Sequence, residues 1–260
     1  MLITTSIDSR GVATLTLNRP DKHNALDGQT MGELHAALVE VERDPAVRVV
    51  ILTGAGASFC AGADIGHMRS MLGATEQQNV DDALVLARLL RKLDELERPV
   101  IARINGNVFG GGLGLVACAD VAIAVDSAKF ALTEVRLGIV PAAISPYVVA
   151  AIGGRQARRL FLTAAMFDAA EARDVQLVHG VAAADSLDAA VEAQVDLLLR
   201  GGPQALKAAK QLIRDVSADT DRDTLTDATA RLLAQLRVSP EGKEGLSAFL
   251  ERRKPGWTPK

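Results

Sequence analysis

Three glycines in a row stand where an apolar run meets a second apolar run. They are Gly110, Gly111 and Gly112, within the segment 109–114. Glycine is unfavourable inside a helix, so this run at a predicted strand-to-helix junction indicates that something approaches the backbone closely. The first turn of a helix leaves N–H groups unpaired, and such groups can stabilise a negative charge that develops during a reaction. Close packing of a helix on a strand explains the same residues equally well.

A second run of small residues, 58–65, follows a predicted buried strand. Two such loops could each supply one N–H group to the same carbonyl oxygen, which is an arrangement that thioester chemistry uses. Asp64 lies near the end of this run and is either a helix N-cap or a ligand contact. The local sequence favours the N-cap.

Glu134 is the candidate for acid–base chemistry. It lies between an apolar strand, 129–132, and an apolar loop, 137–141. Partial dehydration by such neighbours would raise its pKa and suit it to general acid or base work. The alternative is an ordinary ion pair with Arg136 or another cation, and the local sequence favours this alternative because most glutamates are structural or solvated.

Other familiar catalytic and cofactor motifs are absent from the sequence. The segment 54–59 follows a predicted strand and resembles a dinucleotide fingerprint, but Phe59 replaces its third glycine and would obstruct the packing of helix on sheet. There is no phosphate-binding G-x-x-x-x-G-K-S/T, no H-E-x-x-H and no G-x-S-x-G. No metal site is predicted, because no metal-ligand spacing joins the four histidines, His23, His35, His67 and His179.

Length, charge and cysteine use limit the remaining classes. A chain of 260 residues can form one large domain, or one domain with a small appendage. A net charge of -3, from 29 basic and 32 acidic residues, gives no general attraction to nucleic acid or to an anionic membrane. Cys60 and Cys118 predict a reducing compartment without a disulfide framework. The N-terminus does not resemble a signal peptide and no apolar run is long enough for a membrane, so we expect a cytoplasmic protein.

The elements that position these segments alternate between strand and helix. Helices are predicted around 31–41, with Asp27 as the cap, and around 80–96. The predicted strands are 12–17, 47–52, 100–104, 121–125 and 129–132. This alternation predicts an α/β fold with parallel crossovers. Further along the chain the patterns are helical, at 187–200, 203–216, 222–237 and 240–253. We expect these helices to pack on the core or on a neighbouring subunit.

Three ordered segments, 59–65, 106–114 and 133–138, resemble the motifs of the enoyl-CoA hydratase/isomerase (crotonase) family, and the likeness runs from residue 17 to residue 254. The resemblance implies a crotonase-like β-β-α spiral core with the acyl-CoA site, at 1–190, and a C-terminal helical region for trimerisation, at 191–260. It implies a homotrimer or a hexamer. It also implies that coenzyme A takes part only as a portion of the substrate, so no separate cofactor is expected.

The resemblance also implies roles for individual residues. The amides of Ala63 and Gly111 would form an oxyanion hole for the thioester carbonyl, and Glu134 would be the catalytic carboxylate. The remaining positions match the coenzyme A surface and the substrate pocket of the family, and they are Lys22, Ala25, Ala61, Asp64, Ile65, Met68, Gly114, Phe249 and Arg252.

Gly114 is the main departure from the family pattern. Family hydratases with two catalytic glutamates carry one at this position, whereas Glu134 matches the other. One carboxylate could serve both proton transfers of hydration through a single water, or could move a proton between two carbons as in the family's Δ3-Δ2-enoyl-CoA isomerases. The missing side chain is expected to leave space for a branched or carboxylated acyl group, or for a water. Loops around Met68, Val108 and Tyr147 are expected to shape the acyl pocket.

A finer similarity, at 111–115, 134–149 and 237–242, is to bacterial hydratases that act on 3-methylglutaconyl-CoA or isohexenylglutaconyl-CoA. It predicts hydration of a short or branched 2-enoyl-CoA. The alternatives are the isomerase and a non-catalytic crotonase-like protein that serves as a scaffold or binds RNA. The charge balance argues against RNA, although Arg155, Arg158 and Arg159 form a local basic cluster in the sequence.

Overall fold

Two sheets form the centre of the fold. The computed structural model describes residues 1–218 and 221–258. Within them the strands are β1 (Ile3–Ile7), β2 (Val12–Leu17), β3 (Val49–Gly54), β4 (Ser58–Cys60), β5 (Val100–Ile104), β6 (Asn107–Phe109), β7 (Val121–Val125), β8 (Lys129–Ala131), β9 (Phe167–Asp168) and β10 (Gly180–Ala182). One sheet has the order β1-β2-β3-β5-β7-β10 and the other has the order β4-β6-β8-β9.

Helices connect these strands and continue beyond them. They are α1 (Gly28–Arg43), α2 (Ile65–Ser70), α3 (Glu76–Asp94), α4 (Gly111–Ala117), α5 (Ser145–Thr163), α6 (Ala169–Asp174), α7 (Leu187–Leu199), α8 (Pro203–Ser217), α9 (Arg222–Val238) and α10 (Pro240–Leu250). The predicted cap of α1 is confirmed, because the Asp27 carboxylate accepts a hydrogen bond from the Thr30 amide at 2.8 Å.

From β3 to β8, consecutive strands lie alternately in the two sheets. β3, β5 and β7 lie side by side in the larger sheet, and β4, β6 and β8, which follow them in turn, lie side by side in the smaller one. All of these neighbouring pairs are parallel, whereas β1 and β9 pair antiparallel at the sheet edges. A helix follows most of these strand pairs and carries the chain back, which gives a β-β-α repeat. The predicted α/β class with parallel crossovers is therefore confirmed.

The core lies on both faces of the larger sheet. Val100, Ile101 and Ala102 of β5 are all fully buried, as is typical of a parallel strand covered on both sides. α7 packs against β5 and β7, and it buries Val191 and Val195 there. The boundary expected between residues 190 and 191 therefore falls inside a helix of the core.

The last three helices bury much less of their surface. Within the described residues α9 has no buried position, while α8 buries Lys210 and α10 buries Ala248. The Lys210 ammonium contacts the Asp120 carboxylate at 2.6 Å and donates to the Arg98 carbonyl at 3.1 Å, which joins α8 to the core. Large apolar side chains such as Phe249 remain exposed on these helices.

Several expectations about composition can be compared with the structure. Cys60 and Cys118 are free and buried, and burial raises the pKa of Cys60 to about 12, so this thiol stays protonated and is no nucleophile.

Arg155 and Arg158 are exposed on α5, and Arg159 pairs with Glu171 at 2.6 Å. None of the helices that the structure describes is long and apolar enough to cross a bilayer.

Candidate active site

The loop after β4 holds Ala63 against the segment that precedes α1. The Leu26 amide donates to the Gly62 carbonyl at 2.7 Å, and the Asp64 amide donates to the Leu26 carbonyl at 2.9 Å. These two bonds use the amides of Leu26 and Asp64, and the amide of Ala63 takes part in neither. Among the described residues the Ala63 N–H finds no acceptor, so it is available to a ligand.

A buried arginine fixes this loop. Arg19 pairs with the carboxylates of Asp27 and Asp64, each at 2.9 Å, and its side chain is only 14% exposed. The other oxygen of Asp64 accepts from the amides of Gly66 and His67, which makes Asp64 the N-cap of α2, as the local sequence favours. Both carboxylate oxygens of Asp64 are therefore used inside the chain.

Gly111 begins α4 directly after β6. Gly110 adopts φ 48° and ψ -121°, a conformation that favours glycine, and its amide donates to the Ala131 carbonyl of β8 at 3.1 Å. As the first residue of a helix, Gly111 has no intrahelical acceptor for its N–H, and none is present elsewhere in the described chain. Gly111 and Ala63 line the same cavity.

Both explanations of the glycine run apply, at different positions. A Cβ atom on Gly112 would lie 2.9 Å from the Cβ of Cys60, so this glycine permits close packing of α4 on β4. A Cβ on Gly110 would lie 3.3 Å from Oε1 of Glu134. Gly110 therefore allows the carboxylate to approach the helix start, and Gly111 presents the free amide.

Glu134 is a half-buried carboxylate that forms no ion pair within residues 1–218 and 221–258. It begins a 3-10 turn, Glu134–Leu137, and its Oε2 is buried with no hydrogen-bond partner among the described residues. The expected ion pair with Arg136 is wrong, because that guanidinium turns away and donates to the Ala164 carbonyl at 2.8 Å. Burial raises the pKa of Glu134, as expected for a general base in an apolar site.

Ala63, Gly111 and Glu134 share a cavity of about 250 Å³. Its walls are mostly apolar, and the other lining residues are Leu26, Met31, His67, Asp82, Ala83, Leu86, Val140, Pro141, Ala142, Ala143 and Ile144. The residues that carry the two free amides and the half-buried carboxylate therefore line one mostly apolar cavity. This set can polarise a carbonyl and move a proton next to it.

The space expected beside Gly114 is not open. A Cβ atom on Gly114 would lie 2.6 Å from Cγ2 of Ile144 and 3.1 Å from Cδ1 of Leu90. Ile144 stands at the N-terminal end of α5, is 2% exposed and lines the cavity. The expectation of room for a branched or carboxylated group at this point is therefore wrong, because an apolar side chain from another element fills it.

Other predicted positions lie outside the lining of this cavity. Lys22, Ala25, Ala61 and Ile65 lie on the two adjoining segments that hold Ala63, and the Ala61 amide donates to the His23 carbonyl at 3.0 Å. Ile65 and Met68 are exposed on α2, by 76% and 37%. Neither is part of the cavity lining.

Val108 and Tyr147 do not line the Glu134 cavity, contrary to their expected role. Val108 is fully buried in β6, and Tyr147 lines a different cavity, of about 880 Å³, together with Asp94 and His179. Phe249 is 79% exposed near the end of α10, which packs on α8 and α9. Neither Phe249 nor Arg252 is brought to the Glu134 cavity within one chain.

The sequence analysis missed two polar residues of the cavity. The Nε2 atom of His67 lies 2.8 Å from an Asp82 carboxylate oxygen, and both side chains line the cavity. His67 follows Asp64, the N-cap of α2, by about one helical turn, and this spacing could have indicated that His67 lies near the loop of Ala63. Asp82 lies on the next helix, and no local motif relates it to His67.

Comparison with known proteins shows the family to which the chain is similar. A family model described as "Enoyl-CoA hydratase/isomerase" matches residues 8–260. The solved structure of an enoyl-CoA hydratase from Shewanella pealeana is 41% identical, with a TM-score of 0.95, and the match covers 99% of this chain and 96% of that one. AtuE of Pseudomonas aeruginosa is 39% identical with a TM-score of 0.96 over 100% of both chains.

A crotonyl-CoA hydratase of Syntrophomonas wolfei is 35% identical over 251 residues, which is 96% of this chain and 95% of that protein. The chain therefore belongs to the enoyl-CoA hydratase/isomerase family, and its fold is the crotonase fold.

The packing of Ile144 against Gly114 makes a testable prediction. Gly114→Ala is expected to lower the free energy of unfolding by about 1–3 kcal/mol, because the new methyl group overlaps the Ile144 side chain. In an Ile144→Ala background the same change should cost clearly less. Urea unfolding of the four proteins in this double-mutant cycle measures the difference.

Gly32→Ala is the matched control, because this helical glycine of α1 has nothing within 4 Å of the added methyl group. It should be neutral or stabilising by up to ~1 kcal/mol. An equal cost of Gly114→Ala in both backgrounds would show that Ile144 does not occupy this space.

Proposed function

We propose that this protein adds water to the double bond of a short 2-enoyl-CoA thioester. The observation that carries the proposal is the unpartnered Oε2 of Glu134 in the same cavity as the free amides of Ala63 and Gly111. Membership of a family of enoyl-CoA hydratases and isomerases supports it, as does a relative named as a crotonyl-CoA hydratase.

In the proposed reaction the thioester oxygen accepts hydrogen bonds from both free amides. Glu134 removes a proton from water as the water oxygen attacks the β-carbon, and the double-bond electrons move to the thioester oxygen. The amides hold the resulting enolate, and one such donor typically contributes about 3 kcal/mol to lowering the barrier. In the simplest scheme Glu134 then returns its proton to the α-carbon.

The cavity lining favours a short, uncharged acyl group. Its walls are formed by apolar residues such as Leu26, Leu86 and Ile144. Among the described lining residues, His67 is the one side chain that can become cationic, and it is already paired with Asp82. 3-Methylglutaconyl-CoA, which the finer sequence similarity predicts, carries a free carboxylate in addition to its thioester. We therefore expect it to react more slowly than crotonyl-CoA.

Isomerisation is the second candidate, because it needs a single carboxylate. Glu134 fits this role as well, since Ile144 and Gly114 leave no second glutamate beside it. The isomerase would move a proton from one carbon to another without adding water, so the two reactions are separated by their products.

Binding of the coenzyme A portion is proposed along the adjoining segments that carry Lys22 and Ala61. Phe249 and Arg252 are not part of this cavity, and the last helices expose apolar side chains. Both observations favour a homotrimer or a hexamer in which another copy covers the nucleotide. No cofactor apart from the substrate takes part in the proposal. The cytoplasm is the proposed location, since both cysteines are free.

Glu134→Gln is expected to lower the rate of hydration about 10²–10⁴-fold, because the amide cannot accept the proton from water. The measurement is the loss of conjugated thioester absorbance with crotonyl-CoA and 3-methylglutaconyl-CoA. For the unaltered protein the acidic limb of kcat/KM against pH should lie above the ordinary pKa of glutamate, because burial raises the pKa of Glu134.

The same variant also has an expected effect on stability. A carboxyl whose pKa is raised in the folded state favours folding at low pH, and that contribution is lost as the pH rises through the folded-state pKa. At neutral pH Glu134→Gln should therefore unfold at an equal or higher temperature. Unchanged turnover in the variant would rule out the proposed mechanism, and conjugation of a 3-enoyl-CoA without hydration would favour the isomerase.

Gly111→Pro tests the second half of the oxyanion hole. Proline is tolerated at the first position of a helix, and it removes the N–H group. We expect a fall in kcat of about 10²–10³-fold with little change in melting temperature. Gly111→Ala keeps the amide, and its methyl group would lie 3.4 Å from Cδ1 of Leu26, so it should retain more activity. Equal activity of the two variants would place the hole elsewhere.

A further inference from the structure

His67 and Asp82 form a hydrogen-bonded pair in the wall of the Glu134 cavity. Nε2 of His67 lies 2.8 Å from Oδ1 of Asp82, and their side chains are 23% and 32% exposed. Among the described residues the other ring nitrogen, Nδ1, has no protein partner. The reaction scheme proposed above uses neither residue.

His67 and Asp82 lie on helices that adjoin the two residues with free amides. His67 lies in the first turn of α2, four positions after Ala63 in the chain. Asp82 lies on α3, one turn before Leu86, and a Cβ on Gly111 would be 3.7 Å from Cδ2 of Leu86. The helices that carry the pair therefore adjoin the two residues that would hold the thioester oxygen.

Hydration needs two proton transfers, and a group other than Glu134 can carry out one of them. One group must take a proton from water, and one must give a proton to the α-carbon. Ile144 excludes a carboxylate beside Gly114, so the described cavity lining offers three titratable side chains, Glu134, His67 and Asp82. Histidine is well suited to the second role, since its imidazole ring can both accept and donate a proton.

We propose that His67 is a second catalytic residue of this site, which exchanges a proton with the α-carbon through Nδ1, and that Asp82 is a positioning residue that holds Nε2. This rests on the proposed enoyl-CoA function and replaces the return of the proton by Glu134. A base that is oriented by a carboxylate on its second nitrogen is a recurrent catalytic arrangement.

The step balances in protons and electrons. The site begins with Glu134 as a carboxylate and His67 as an imidazolium paired with Asp82. Water loses a proton to Glu134 as its oxygen bonds to the β-carbon, and the enolate then collapses to the thioester as its α-carbon takes the proton from Nδ1. Glu134 ends protonated and His67 ends neutral, and transfer of one proton from Glu134 to His67 through solvent restores both.

The test measures two reactions separately in the 260-residue chain. The first is hydration of crotonyl-CoA, with kcat and KM determined independently. The second is exchange of the α-hydrogens of butyryl-CoA with deuterium from solvent, followed by mass spectrometry. Exchange needs the enolate and the α-carbon proton group but no attacking water, so it reports on His67 whether or not hydration occurs.

His67→Gln keeps a donor near Nε2 but cannot exchange a proton at neutral pH. We expect it to lower both kcat and the exchange rate about 10²–10⁴-fold with little change in KM. Asp82→Asn should lower both rates less, and Asp82→Glu should recover part of the loss, because the carboxylate is restored. His35→Asn is the control, since His35 lies on α1 outside the cavity lining, and it should match the unaltered protein.

Glu134→Gln separates the two catalytic schemes. If His67 serves the α-carbon, this variant loses hydration but continues to exchange butyryl-CoA. Loss of both reactions in Glu134→Gln, with both kept in His67→Gln, would overturn the proposal and return the α-proton to Glu134. Absence of exchange in the unaltered protein would also overturn it. Exchange without hydration by the unaltered protein, lost in His67→Gln, would instead refute the hydratase proposal and support the assignment of His67.

Discussion

Two backbone amides that have no acceptor among the described residues, those of Ala63 and Gly111, are the constraint on which the site depends. Most buried amides in folded proteins are paired, so leaving two unpaired in one cavity requires rigid surroundings. The β-bridge between Leu26 and Ala63 and the ion pairs of Arg19 hold one loop. The parallel pairing of β6 with its neighbours, followed by the start of α4, holds the other.

The position of the Glu134 carboxylate depends on the same strands. Glu134 follows β8, and β8 pairs with β6, so the strand that leads to the free amide of Gly111 also sets the position of the carboxylate. Its buried oxygen has no partner within the described chain, and this disfavours the ionised form. A local conflict of this kind is expected where function outweighs stability.

The parts that could be predicted from sequence are those encoded by neighbouring residues. Strand periodicity predicted the α/β class, and the local sequence favoured the cap at Asp64. The small-residue loops after strands suggested one N–H group from each loop, whereas the choice of Ala63 and Gly111 came from the family resemblance. Contacts between distant segments could not be predicted in this way. Ile144 reaches Gly114 from another element, Asp82 reaches His67 from the following helix, and Arg136 bonds to the Ala164 carbonyl rather than to Glu134. Each outcome depends on tertiary packing, which carries no local sequence signal.

The central claim is that a thioester carbonyl lies between the Ala63 and Gly111 amides. Isotope-edited infrared spectroscopy of crotonyl-CoA, labelled at its thioester carbonyl and bound to Glu134→Gln, measures this most directly because the substrate is not consumed. Two N–H donors polarise the carbonyl, so its stretching band should move to lower frequency than in free crotonyl-CoA, and the shift should shrink when Gly111→Pro is added. A bound substrate whose carbonyl band stays at the free position would contradict the account.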